Sequence, residues 1–534
     1  MSLPRDSVRT VGEALERRAD RDGAAPFVQY KDARASYGEV NRMANAIAGR
    51  LQANGIGTGD TVCLFLYNSM EYIYLYFALA KLGAVVAPVD TRFTGETLAT
   101  VLETADAEAV FVDTDTRKQY EAVREDVSGL PTEYFVGPQQ DGGPYRPFAP
   151  LLDGDETPPD VAVSEADTLS VTFVQRHATE QPKGIELPQY SYLNTGWEAS
   201  QHLFDFSGED RIFTTLPLYS IFAFHIGVVG SLVTDAAFAF EDPFDPDVFW
   251  SQADRYDASV VLYLGRMLSV LYNQDDDDAD GADNAVETAI GHGFGFGTDE
   301  ALIENFEERF DITVLEGYGV TQTATLATYN TADDRTVGSA GRPVSHAEVA
   351  VVDDNDWPVD AGEAGEIVIR PTRPNTMMQG YRGDPEATIE DCRNQWIHTG
   401  DIGYMDEDGY LHFVANEDNS IYRGRVAGRI SSLEIESVID AVPGVAESAV
   451  VGVEDVTGTE EIKAVVVSDA DASLDPVDVY RHCRGSLPYV KVPRYVELRE
   501  ELPRDPTGKV RKAPLRRTDP AATWDRDSGY EFSR

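Results

Sequence analysis

Two of this chain's lysines stand where a phosphate would need them. Lys183 closes the stretch Gln175–Gly184, QRHATEQPKG, which keeps the Pro-Lys-Gly ending of a phosphate-binding loop and lacks its glycines. A glycine-rich turn lets backbone N–H groups close around phosphate oxygens, because glycine takes positive φ without strain. Here His177 and Glu180 stand where that logic wants glycine, while Thr179 and Lys183 remain. The second, Lys509, follows a Pro-Thr-Gly turn in Leu502–Lys512, LPRDPTGKVRK. A lysine point charge suits negative charge developing on a transferring phosphoryl group. A solvated lysine after a turn is the plainer reading. It loses weight because the chain has only Lys31, Lys81, Lys118, Lys183, Lys463, Lys491, Lys509 and Lys512.

The elements that must position these residues alternate between helix and strand, which predicts an α/β architecture. Asn41–Asn54 reads as an amphipathic helix, Thr61–Leu66 as a buried strand, Glu71–Leu82 as helix and Ala84–Pro88 as strand. Ala109–Val112 is a short strand, with a helix near Lys118–Val127. Asp141–Pro159 is a surface connection rich in Gly, Pro and Asp. Thr168–Val174 is a strand running into the loop, and Ser191–Phe204 is the helix beyond it. Gly365–Arg370 and Gly409–Val414 suggest a smaller β-rich region. From about Asp418 the pattern is helix, strand, strand, helix: Ser432–Ala441, Ser448–Val453, Ile462–Val467 and Pro476–Ser486. The chain thus divides into residues 1–417, a large multi-sheet domain, and 418–534, a compact α+β module.

A length of 534 residues exceeds one ordinary core. The net charge of −49 comes from 93 acidic residues spread through every segment. That spread points to a solvated surface suited to high salt, a halophilic character, and not to a basic partner. It argues against nucleic-acid or anionic-membrane binding, which needs clustered Lys and Arg. Cys63, Cys392 and Cys483 form no CxxC pair, and the eight His show no zinc spacing. Gln274–Asp283, QDDDDADGAD, reads as a solvated loop; a calcium site there would lack EF-hand spacing. Tyr72–Pro88 is apolar but short and contains Lys81, so buried helix and strand are preferred to a membrane span. With no signal-peptide pattern at the N-terminus, a cytoplasmic protein is expected.

These motifs, in this order and spacing from Ser36-Tyr37 to Leu515-Arg516, resemble the adenylate-forming (AMP-binding) superfamily. Within it the chain is most similar to acyl-CoA synthetases of the carnitine and medium-chain acid type. The resemblance implies that Lys509 bridges carboxylate and α-phosphate during adenylation. Trp396–Asp401, WIHTGD, resembles the motif whose Asp accepts hydrogen bonds from both ribose hydroxyls, a role for Asp401. Tyr318–Gln322, YGVTQ, resembles YGxTE. Tyr318 would then stack on adenine beside Gly319, and Thr321 would contact phosphate. Gln322 would replace the Glu that helps hold Mg²⁺, keeping an oxygen ligand without its charge. Gly295, Phe296 and Gly297 fill the place of Gly-Ala-Pro along the adenine pocket. Asn416, in Phe413–Asp418, FVANED, replaces a ribose-contacting Arg, and Asp418 falls on the hinge of the mobile small domain. Ser220 in LPLYS stands where many relatives have His. Gly424–Glu436 resembles the hairpin and helix that open a tunnel for the pantetheine arm of CoA.

The resemblance as a whole implies an ATP- and Mg²⁺-dependent ligase joining a small-molecule carboxylic acid to coenzyme A through an acyl-adenylate; a homo-oligomer is compatible with the sequence. The acyl pocket is expected among Tyr219–Gly230, Gly293–Gly297 and Gly317–Thr323. Phe222, Phe224, Phe294 and Phe296 would make it apolar, although core packing accounts equally well for several of them. The departures at His177, Glu180, Gln322 and Asn416 motivate a rival expectation, a non-catalytic relative that binds an acyl ligand or a protein partner.

Overall fold

A computed structural model describes the chain except for residues 1–2, 6, 128–130, 139–143, 175–180, 275–284, 293–299, 417–418, 423–428, 455–459, 470–473, 505–509, 518–522 and 527–534. Two large, mostly parallel sheets dominate. The first has nine strands and is built on a parallel core that includes Arg211–Thr214, Val260–Leu264, Thr288–His292 and Thr313–Tyr318. The second has eight strands, with Thr61–Phe65, Val85–Pro88 and Thr168–Val174 at its centre. Thr61–Phe65 is buried at every position, as its unbroken apolar run dictates for a strand covered on both faces.

Between the sheets lie helices whose limits are written locally. Tyr37–Ala53 starts in a Ser36–Glu39 capping box, and Met70–Leu82 runs from a Ser69 cap to Gly83 at φ 66°. Met70–Leu82 is buried almost throughout, and Lys81 within it pairs with Glu16 at 2.6 Å. That ion pair compensates the buried Lys81 charge near the end of a largely apolar helix. No helix among the described residues is long and apolar enough to cross a membrane.

A four-stranded antiparallel sheet follows, ordered Ala347–Val352, Gly365–Pro371, Ile397–Met405, Leu411–Asn416. The C-terminal part is a separate α+β unit. Helices Ser432–Asp440 and Pro476–Ser486 pack with strands Val445–Glu454 and Glu460–Ser468 around Ile435, Ile439, Val450 and Val466. Architecture and element types agree with the sequence reading. One element between loop and helix is new: Lys183–Pro188 is a strand, antiparallel to Thr168–Val174, and the helix begins at Gln189, two residues before the expected Ser191. Only Lys183 and Glu186 of this strand are partly accessible, so it carries no clean alternation, and the run is short and ends in Pro. Gln274–Asp283 lies, apart from Gln274, outside the described residues.

Candidate active site

Tyr318, Thr321 and Gln322 stand at the C-terminal end of a parallel strand, where α/β sheets present their ligand sites, while Asp401 and Asn416 come from the antiparallel sheet. Val174 ends a parallel strand and pairs with Lys183 across the hairpin, so the stems of the candidate phosphate loop are held in register. Tyr318 ends the strand Thr313–Tyr318, and the chain then turns through the short 3-10 helix Thr321–Thr323. Gly319 makes this turn possible: a Cβ there would lie 1.9 Å from the Thr325 carbonyl oxygen.

Tyr318 is buried, and its phenol donates to Asp401 Oδ2 at 2.6 Å. Asp401 sits in the strand Ile397–Met405, directly opposite Asn416 of the neighbouring strand. The backbone N–H of Asp401 donates to Thr399 Oγ1 at 3.1 Å, and that of Gly400 to Glu366 Oε1 at 3.0 Å. Phe413 lies 6.1 Å from the Tyr318 ring, tilted by 33°. An aromatic face and a carboxylate thus meet where two sheets approach, an arrangement able to take a base and a diol.

Lys183 and Gln322 are brought together by a residue the sequence reading missed. Tyr381, in the two-residue strand Gly380–Tyr381, pairs with Ile185 at the edge of the eight-stranded sheet. The Lys183 ammonium lies 5.1 Å from the centroid of the Tyr381 ring. The Tyr381 phenol accepts from Gln322 Nε2 at 3.0 Å and donates to Asp391 Oδ2 at 2.7 Å. With Nε2 so engaged, Oε1 is the amide atom that can ligate a cation. One neutral oxygen suits Mg²⁺, which keeps several waters and takes phosphate oxygens as further ligands. Only the dipeptide Gly380-Tyr381 could have signalled this residue, and nothing in its spacing points to the loop.

Behind the turn, the Ala324 carbonyl accepts from Thr195 Oγ1 at 3.0 Å and lies 3.3 Å from His225 Nδ1. Ala324 and Thr325 hold φ of 53° and 86°, left-handed values that cost energy in residues with a Cβ. His225 is fully buried, and burial pushes its imidazole down to about 3. Beside the turn opens a cavity of about 600 Å³, lined by Phe173, Val174, Tyr219, Ser220, Phe244 and Thr321 among others. Tyr219, Ser220 and Thr321 therefore meet the expectation for a pocket. Phe222 and Phe224 are core residues instead: Phe224 stacks on Tyr76 at 3.9 Å, and Phe222 meets His292 edge-on at 4.8 Å. Thr179, Gly295, Phe296, Gly297, Asp418 and Lys509 lie outside the described residues.

A model of the AMP-binding enzyme family matches residues 15–382, and one of the AMP-binding enzyme C-terminal domain matches residues 434–509. A crotonobetaine/carnitine–CoA ligase of Salmonella agona is 30% identical over 490 residues, covering 90% of this chain and 93% of its own. Among solved structures, a Mycobacterium tuberculosis fatty acyl CoA synthetase is 28% identical with a TM-score of 0.74, covering 96% of this chain and 98% of its own. ATP-bound MatB from Rhodopseudomonas palustris is 25% identical with a TM-score of 0.80, covering 95% and 98%. A family match across most of the chain and a relative at 30% identity over nine-tenths of it have one meaning: this chain belongs to the AMP-binding enzymes.

Proposed function

We propose that the chain is an AMP-forming acid–thiol ligase that joins a small carboxylic acid to coenzyme A. A carboxylate oxygen of the acid attacks the α-phosphorus of ATP, the bond to pyrophosphate breaks, and an acyl-adenylate forms. The thiol of CoA then attacks the acyl carbon, and AMP departs. The observation that carries this reading is the 2.6 Å contact of Tyr318 with Asp401, with Asn416 opposite Asp401 in the ladder. It joins two motifs far apart in the sequence at one strand-end site.

In this reading Tyr318 and Gly319 border the adenine, with Gly295, Phe296 and Gly297 on its other side. Asp401 and Asn416 take the ribose, while Thr179, Lys183 and Thr321 take the phosphates. Gln322 would hold Mg²⁺, which supplies charge neutralisation on the phosphate oxygens. Lys509 stabilises charge in the adenylation step, and residues 418–534 turn about Asp418 between the two half-reactions, separating two transition states. The cavity beside Thr321 admits acyl or pantetheine groups. The even acidity suits a protein working in a salt-rich cytoplasm.

Pyrophosphate release, with ATP, Mg²⁺ and high salt, tests this against a panel of carnitine, crotonobetaine, fatty, benzoic and malonic acids. Release with at least one acid, followed by CoA-dependent loss of the adenylate, is expected. Silence with all acids together with no ATP binding would replace the ligase by a non-catalytic acyl- or protein-binding relative.

A further inference from the structure

Lys509 is flanked by two described stems, and both are tied down. Arg504 and Val510 form an antiparallel bridge, and the Arg511 N–H donates to the Pro503 carbonyl at 2.7 Å. Arg504 also contacts the Glu447 carboxylate. Val510 packs against an apolar cluster of Leu502, Leu515, Ala449 and Val465. Two residues further on, Lys512 turns inward. Its Nζ lies 2.6 Å from Glu436 Oε1 and donates to Ser432 Oγ at 2.7 Å, and both members of the ion pair are largely buried. Glu436 Oε1 also accepts from the Val450 N–H at 2.6 Å.

A buried ion pair is weak evidence for stability, because removing two charges from water offsets much of their attraction; its best-attested use is fixing register. The register at stake here is specific. Lys512 lies three peptide steps from Lys509, at most about 11 Å of extended chain. Glu436 ends the Gly424–Glu436 segment, and its helix Ser432–Asp440 is the element onto which Lys512 is pinned. Two of the chain's eight lysines therefore fall within four positions of each other, one buried and anchored, the other assigned to chemistry.

We propose that the Glu436–Lys512 pair is a positioning device for Lys509, fixing the described stem Val510–Lys512 in register on the helix Ser432–Asp440 and so setting where the chain departs toward Lys509. This rests on the ligase reading above. It ties the C-terminal stem of the Lys509 turn to the helix Ser432–Asp440. Its loss frees that stem and leaves Tyr318, Asp401 and Thr321 untouched.

The test uses the full-length chain with Lys512→Met, Lys512→Arg and Glu436→Gln. Backbone hydrogen–deuterium exchange over residues 502–516 is the readout that needs no activity: it is expected to accelerate about tenfold in Lys512→Met and to stay near wild type in Lys512→Arg. Acid-dependent ATP–pyrophosphate exchange should fall about a hundredfold in kcat with the KM for ATP unchanged. Thioester formation from supplied acyl-adenylate should persist in Lys512→Met. Unchanged hydrogen exchange in Lys512→Met would overturn the proposal. So would equal loss of both half-reactions with a lowered melting temperature, the mark of a merely structural pair. If Lys512→Met does not fold, Glu436→Gln, which keeps an acceptor oxygen and removes only the charge, carries both readouts. If the wild-type chain forms no adenylate with any acid, the ligase reading falls and the hydrogen exchange alone decides the clamp.

Discussion

Tyr318 and Asp401 meet through a phenol–carboxylate hydrogen bond of 2.6 Å that joins the end of the nine-stranded sheet to the four-stranded sheet. If Asp401 takes the ribose, Asp401→Asn should weaken AMP binding by about 1–3 kcal/mol, the cost of a lost charged acceptor. Tyr318→Phe keeps the ring and should cost only about 0.5–1.5 kcal/mol. Calorimetric titration with AMP measures both, and equal losses would detach the carboxylate from the nucleotide.

Gln322→Glu should restore a charge at the cation position. Binding of Mn²⁺ in the presence of ATP, read by electron paramagnetic resonance, is expected to tighten by roughly 1–4 kcal/mol, the range for charges about 4 Å apart between water and a protein surface. The single Tyr381 phenol proton is already given to Asp391, so the new carboxylate gains no donor there and is left to the cation. No tightening would remove position 322 from the metal site.

The paired substitution His177→Gly with Glu180→Gly removes a carboxylate from the loop and restores positive-φ freedom at both positions. ATP affinity should rise by about 1 kcal/mol or more, since one unit repulsion at about 4 Å is worth that much in water. Melting temperature should stay nearly constant. Equilibrium ATP binding is the measurement, and unchanged affinity would show that the loop composition does not limit the nucleotide.

Much of the fold is legible in the order of the amino acids, and the reasons are local. The periodicities of Thr61–Leu66 and Pro476–Ser486 state their elements because burial on two faces or one stripe fixes residue type. The strand Thr168–Val174 is readable to the residue. Tyr381 is not, because its role depends on an edge pairing with Ile185 that no local pattern encodes. Nor are His225 and Thr195, whose shared partner is a carbonyl and leaves no trace in side-chain spacing. Phe222 and Phe224 are ambiguous for a related reason: a pocket wall and a core wall favour the same side chains.

His225 gives a pH dependence with a definite sign. Burial holds its folded-state value near 3, below the ordinary 6.5, so the unfolded chain binds the extra proton between these values. The stability this neutral imidazole confers is present above about pH 6.5 and is lost as pH falls, by up to about 1.4 kcal/mol per pH unit. In His225→Asn the term is absent. The wild-type-minus-variant difference in unfolding free energy, from denaturant titrations, should therefore shrink from about pH 7 to about pH 4; a flat difference would mean that His225 is protonated in the folded protein.

With a net charge of −49, self-repulsion opposes folding at low ionic strength. Raising KCl from about 0.1 to 1 M shortens the screening length from about 10 to 3 Å, so the thermal midpoint should climb steadily. A midpoint independent of salt would separate the acidity from stability altogether.

The hairpin of Thr168–Val174 and Lys183–Pro188 has a consequence for how this protein can change. Five residues on each arm, Ser170–Val174 and Lys183–Leu187, are matched in one register, and Gly380–Tyr381 seals the outer arm. The integrity of the sheet is thus indifferent to which side chains cap the hairpin. Substitutions at positions 175–180 can therefore leave the paired arms as they are. Drift and adaptation there would look alike to an assay that asks only whether those arms are intact.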